Sequence, residues 1–220
     1  MLLTCVTFVT DNALFPIAYL LYQNKKTMRL EIGNKAPSFR AESLSGETVS
    51  LEDYKNQNVL IKFYRFATCP VCNLHLRSFV RQYDKLAKAG LLVVVIFHSP
   101  KWRTGKNMPE HLPFEILSDP DKKIFKRYGV EKSMMGMFSL AVWRDYYLAL
   151  RAGFSTGMFS HDGGMFGHPA DMLVDKDGII RYVHYGKDYA DSLTVEQALE
   201  AAEKAAPARK KEAGRAIAIA

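Results

Sequence analysis

The sequence predicts an α/β domain of three layers, a central mixed sheet flanked by helices. Three observations carry this. NVLIKFYRF (Asn58 to Phe66) and LLVVVIF (Leu91 to Phe97) are β-branched and aromatic with almost no polar break, the pattern of strands buried on both faces. Between them, Pro70 to Ala89 carries Leu74, Leu76, Phe79, Val80, Tyr83 and Leu86 close to helical spacing, and Gly90 stops the helix. A helix between two such strands supplies the crossover that parallel pairing needs.

The other elements follow in order. KAPSFRAES and GETVSLEDY predict an N-terminal hairpin with Ser45-Gly46 in its turn. After the second buried strand comes a loop carrying Trp102, with a solvated basic surface from Lys101, Arg103 and Lys106. LPFEILSD is a third strand, and Asp119-Pro120 opens a helix that runs through Ile124, Phe125 and Tyr128 to Gly129. A Met/Phe-rich insert over residues 132–166 repeats Gly-Met-Phe at Gly136, Gly157 and Gly164. Its middle, Ser139 to Arg151, has the spacing of an amphipathic helix. That insert is either an apolar lid or partner surface over the cysteines, or core packing with a glycine loop; the helical spacing of its apolar residues favours packing. DMLVDKDGIIRYVHYG predicts a hairpin with Asp177-Gly178 in the turn. SLTVEQALEAAEKAA is the closing helix, with Ser192 or Thr194 as N-cap.

At 220 residues the chain is long enough for one well-buried domain, assigned here to residues 28–206. Residues 1–27 form an apolar extension. Its longer run, Ala13 to Tyr22, is short of the ~20 residues a spanning helix needs, and Asp11 interrupts a longer one. The segment reads as sequence upstream of a start at Met28, or as a membrane-associated N-terminus. The expected location is cytoplasmic, with membrane association through residues 1–27 as the alternative. Residues 207–220 read as a disordered basic tail. The net charge of +7 is spread along the chain, without zinc-finger, RNA-binding or helix-turn-helix patterns, so no nucleic acid is expected as a partner.

Three cysteines, Cys5, Cys69 and Cys72, are too few for a disulfide scaffold. The close pair falls where a buried strand ends and a helix begins, in FYRFATCPVC. Pro70 suits the first helical position, which makes Cys69 the N-cap. A sulfur there faces the N–H groups of Val71 and Cys72 and the positive end of the helix dipole, conditions that lower a thiol pKa. Arg65 and Lys62 are candidates to add positive charge. Cys72, one turn on, is placed to resolve a bond formed at Cys69. A structural zinc would need four ligands; His75 is near, but His98, His161 and His168 are scattered and no second cysteine pair exists, so no metal is expected.

The stretches NVLIKFYRFATCPVCNLHLRSF, LLVVVIFHSP, LPFEILSDPDKKIFKRYGV and HPADMLVDKDGIIRYVHYG together resemble the thioredoxin-fold superfamily. More closely, the chain is similar to the alkyl hydroperoxide reductase/thiol-specific antioxidant (AhpC/TSA) group, in a peroxiredoxin-like branch with a CxxC motif. The resemblance spans residues 32 to 204. It implies a thioredoxin-like fold and a thiol-dependent oxidoreductase without a bound cofactor; the alternative is a non-catalytic thioredoxin-fold module for binding or assembly. Peroxide or disulfide would be the substrate, and an external dithiol, thioredoxin-like or glutathione, the reductant; a homodimer is open. It also implies two registers. In the thioredoxin register Cys69 attacks and Cys72 resolves, the assignment adopted here. In the peroxiredoxin pattern P-x-x-x-T-x-x-C, Cys72 meets the peroxide, Cys69 replaces the threonine and Arg65 the proline. Thr68, beside the vacated threonine position, and Arg65 are then the expected substrate-binding residues. These departures favour disulfide exchange, or a slower peroxidase cycling through a Cys69–Cys72 disulfide. Pro169, the third expected substrate-binding residue, stands where thioredoxin-fold proteins carry a cis proline facing the redox pair; the alternative is a trans proline leading into a strand.

Overall fold

Seven consecutive residues with little solvent-facing surface fit only inside a sheet covered on both sides, and β3 (Asn58–Tyr64) lies there. In the computed structural model, which describes residues 29–106, 108, 112–130, 139–154 and 167–205, the sheet has five strands in the order β5-β4-β3-β6-β7. Strands β3, β4 (Leu91–Phe97) and β5 (Glu115–Ser118) run parallel. Strand β6 (Ala170–Val174) is antiparallel to β3, and β7 (Ile180–Tyr185) antiparallel to β6. The expected N-terminal hairpin is β1 (Arg40–Glu42) and β2 (Thr48–Ser50), with Gly46 in its turn at φ 98°.

Alternation along β3 divides the core in two. Leu60 and Tyr64 join Val93, Val95 and Phe97 under α1 (Pro70–Arg81), α2 (Tyr83–Lys88), α5 (Leu140–Arg151) and α6 (Val195–Ala205). Val59, Ile61 and Phe63 join Val94 and Ile96 on the other face, under α4 (Lys123–Arg127) and the N-terminal Ala36, Phe39 and Val49. This is the three-layer arrangement the sequence predicts. Helix α4 begins at Lys123, after a turn through Pro120 and Asp121 rather than at Asp119-Pro120 itself; the Asp119 carboxylate accepts the N–H groups of Lys123, Ile124 and Phe125.

Several details differ from expectation. The helix predicted over Pro70 to Ala89 is two, separated at Gln82, whose backbone leaves the helical region at φ −113° and ψ 14°; the apolar spacing runs through this break without marking it. The segment around Trp102 is a short helix, α3 (Lys101–Lys106), rather than a loop. The closing helix is capped by Thr194, whose hydroxyl accepts the Gln197 N–H while the Gln197 side chain accepts the Thr194 N–H. Ser192, the other candidate, is turned into the core. Ser139 caps α5, and this insert helix packs on α1 through Val142 and Ala149, with His75 paired to Asp145 at 3.4 Å. Its other face leaves Leu140, Trp143 and Tyr147 exposed.

Pro169 is trans; among the described residues no peptide bond is cis. The residue stands just ahead of β6, where pairing with β3 ends at Phe63 and Ala170, so its missing N–H interrupts no ladder there. Its carbonyl accepts the Gly186 N–H at 2.9 Å. A Cβ on Gly186 would come within 2.8 Å of the Pro169 ring, so only glycine lets the connection after β7 pass this close. That connection brings Tyr189 to the cysteines. Among the described residues, no helix is long and apolar enough to cross a membrane. The expected extension over residues 1–27, the Gly-Met-Phe repeats and the basic tail lie outside the described residues.

Candidate active site

The turn between β3 and α1 carries the cysteine pair and is fastened at three points. The His98 N–H donates to the Arg65 carbonyl at 3.1 Å, and the Ala67 N–H to Ser99 Oγ at 2.8 Å. Asn73 Nδ2 donates back to the Ala67 and Cys69 carbonyls at 2.7 and 2.9 Å. The turn is therefore held from the strand below and from the helix it feeds.

Cys69 is the N-cap of α1 in extended conformation, and its sulfur accepts the Cys72 N–H at 3.3 Å. The Arg65 guanidinium donates to the same sulfur through Nη2 at 3.0 Å. Arg65 is held flat between rings, 3.8 Å from the centre of Tyr189 and 5.3 Å from that of Phe66. Both cysteines are free thiols. Burial by itself would raise the Cys69 pKa. The hydrogen bond from the Cys72 side chain, the Arg65 charge and the Cys72 N–H outweigh it and bring Cys69 down to about 6. Burial pushes the Cys72 thiol well above its usual range, and its hydrogen bond to Cys69 and the charge there push it further. These shifts favour the thiolate at Cys69 and the thiol at Cys72. That division is what a nucleophile and a resolving partner need.

Of the site residues predicted from the sequence, Cys69, Cys72 and Arg65 come together. Thr68 lies partly buried in the turn immediately before Cys69. Pro169 is turned towards Gly186. Lys62 does not serve Cys69: it is fully buried and paired with Asp171. Tyr189 and Asn73 were not singled out from sequence, because a lone tyrosine between a strand and a helix, or an asparagine inside one, carries no local signal. The Lys62–Asp171 pair had a signal, one charge in each of two otherwise apolar strands. The two residues sit directly opposite across the β3–β6 ladder.

Replacing Arg65 with methionine should raise the midpoint for thiolate formation at Cys69 from about 6 by about 1–3 pH units. The sign follows from the charge: without the cation the neutral thiol is favoured, so reactivity fades on acidification at a higher pH than in the parent protein. Thiolate absorbance against pH measures it, and an unmoved midpoint would assign the stabilisation to the helix terminus alone.

A CxxC pair at the strand-to-helix turn of this sheet, with Arg65 and a backbone N–H at the first sulfur, has the geometry of a thiol oxidoreductase site on a thioredoxin-type fold. Comparison with known proteins agrees. Residues 32–183 match the AhpC/TSA family. The chain is 36% identical over 157 residues to peroxiredoxin Bcp of Escherichia coli K12, covering 70% of this chain and 85% of that protein. It is 33% identical over 124 residues to a putative peroxiredoxin of Coxiella burnetii, covering 55% and 82%. Peroxidoxin BcpB from Mycobacterium tuberculosis shares the fold at a TM-score of 0.58 and 16% identity, covering 80% of this chain and 97% of that one. The chain belongs to the AhpC/TSA family and is a peroxiredoxin-like oxidoreductase.

Proposed function

We propose that the protein reduces hydroperoxides, with the Cys69 thiolate as nucleophile, Cys72 as resolving thiol and an external dithiol as reductant. The observation that carries this reading is the setting of Cys69 at the N-cap of α1: its sulfur accepts both the Arg65 Nη2 donor and the Cys72 N–H, and its pKa falls while that of Cys72 rises, although Arg65 reaches Cys72 as well. Burial supports a small substrate. Cys69 is 0% and Cys72 3% exposed, a setting that suits a peroxide better than a folded protein's disulfide. The names of the similar proteins point the same way.

The steps balance. The Cys69 sulfur attacks the terminal peroxide oxygen, the O–O bond breaks, and the alkoxide or hydroxide leaves with one proton as alcohol or water. Cys69 becomes a sulfenic acid. Arg65, already at the sulfur, is placed to stabilise the negative charge shifting to the departing oxygen. Cys72 then displaces the sulfenic oxygen as water and closes a disulfide. A dithiol, thioredoxin-like or glutathione as two thiols, returns both sulfurs to the reduced state by exchange.

Brief exposure of the reduced protein to one equivalent of hydrogen peroxide, in the presence of dimedone, tests the assignment. The adduct is expected on Cys69 by mass spectrometry. An adduct on Cys72 would establish the peroxiredoxin register instead, and a pair inert to peroxide but reactive with a model disulfide would make the protein an exchange enzyme.

A further inference from the structure

Beneath the redox pair lies a buried polar cluster that the steps above leave unused. Lys62 on β3 and Asp171 on β6 are fully buried on the face covered by α1. Lys62 Nζ donates to the Asp171 carboxylate, to Ser192 Oγ at 3.2 Å and to the Leu193 carbonyl at 3.3 Å. It also lies 4.2 Å from the centre of the Phe79 ring of α1. Asp171 accepts the Leu193 N–H at 2.9 Å and the Ser192 hydroxyl at 3.3 Å.

Two residues along β3 on the same face stands Tyr64, 1% exposed, in the core group that holds Cys69 and Cys72. Its ring packs against Phe97, and Lys62 Nζ is 5.4 Å from the ring centre. Its hydroxyl is one of the few buried polar atoms among the described residues that lack a hydrogen-bond partner. It comes near Ser192 but completes no hydrogen bond. It stands close enough to Asp171, Cys72 and Cys69 for the charge of each to act on it. A buried hydroxyl left without a partner costs stability, and its persistence calls for a reason.

The resolving step supplies one. Cys72 is a buried thiol, and it must give up its proton to attack. We propose that the Tyr64 hydroxyl relays the Cys72 proton to the Lys62–Asp171–Ser192 cluster as Cys72 attacks the Cys69 sulfenic acid. This rests on the reading that Cys69 is oxidised and Cys72 resolves. The S–S bond forms as the Cys69 S–O bond breaks. The proton taken up by the cluster is returned as hydroxide leaves, so the sum is one thiol and one sulfenic acid giving one disulfide and one water. The titratable groups facing the hydroxyl are Lys62 from its own strand, Asp171 from β6, and Cys69 and Cys72 from the start of α1. His184, opposite Asp171 on β7, is turned to Asp191.

Tyr64→Phe removes the hydroxyl and keeps the ring. In single turnover with hydrogen peroxide, disulfide closure should slow about 100-fold, the scale of general acid–base assistance, so that dimedone-reactive Cys69 accumulates. Closure in the variant should gain about tenfold per pH unit, as hydroxide takes over the proton, where the parent is flat. The melting temperature should hold or rise by about 2–4 °C, since an unpaired buried group is removed. Asp171→Asn, where it folds, should reproduce the pH slope. Closure at the parent rate with the label on Cys69 would overturn the relay, as would slow closure with an unchanged pH profile, which marks a structural role. A label on Cys72 would overturn the assignment of the sulfurs and the relay with it.

Discussion

Cys69→Ser should reduce peroxide turnover to background, a loss of roughly 10⁴-fold or more, the scale met when a covalent nucleophile is removed. The cause lies in the geometry. Arg65 and the Cys72 N–H stabilise an anion at the Cys69 sulfur, and a serine hydroxyl does not ionise there near neutral pH. Cys72→Ser should behave differently. The first oxidation of Cys69 proceeds, since its thiolate keeps Arg65 and the backbone N–H, but no intramolecular disulfide forms. Cys69 sulfenic acid then accumulates, or is trapped by an added thiol as a mixed disulfide. Stopped-flow oxidation of both variants, with mass spectrometry of the products, separates the steps. Should Cys72→Ser prove inert while Cys69→Ser keeps peroxidase activity, the two roles are exchanged.

The largest effect on stability should come from Asp171→Ala. Lys62 and Asp171 are both fully buried, and removing one partner of such a pair costs about 3–5 kcal/mol because the remaining charge is stranded. Lys62 already carries the mark of that environment: burial lowers its pKa, and Asp171 offsets part of the fall. The loss of Asp171 also deprives the Leu193 N–H of its acceptor and loosens the start of α6. Replacing both charges together, as Lys62→Met with Asp171→Leu, should recover most of the loss, because no buried charge remains. Denaturant unfolding of the two variants measures the contrast; a single variant within about 1 kcal/mol of the parent would show that solvent reaches the site.

Much of the fold was legible because it is written in short-range patterns. NVLIKFY and LLVVVIF are apolar on both faces, a pattern that a covered central strand satisfies. Asp119-Pro120 and Thr194 with Gln197 place helix starts within a few residues, since capping joins backbone and side chain locally. The N-cap position of Cys69 follows from Pro70 alone. What was missed depends on residues far apart in the chain. Lys62 is near Cys69 in sequence and lies on the same side of the sheet, yet it stands opposite Asp171 across the β3–β6 ladder, 109 residues away, and its ammonium is taken by that carboxylate. Pro169 is near the right place for a cis bond, but Gly186 and the β6 ladder accommodate it as trans. Tyr189 meets Arg65 from the connection after β7, which passes Pro169 at Gly186, where a side chain would clash.

The sequence by itself determined the three-layer order, the cysteine pair at the head of α1 and the sulfur that caps the helix, because each follows from spacing within one or two elements. Only the tertiary structure decided which cation serves that sulfur, which charge neutralises Lys62 and which hydroxyl is buried beside them without a partner. Those choices depend on which faces of β3, β6 and the connection after β7 meet. In a buried site a charge's partner is set by the side chains packed beside it in space, whatever their distance along the chain.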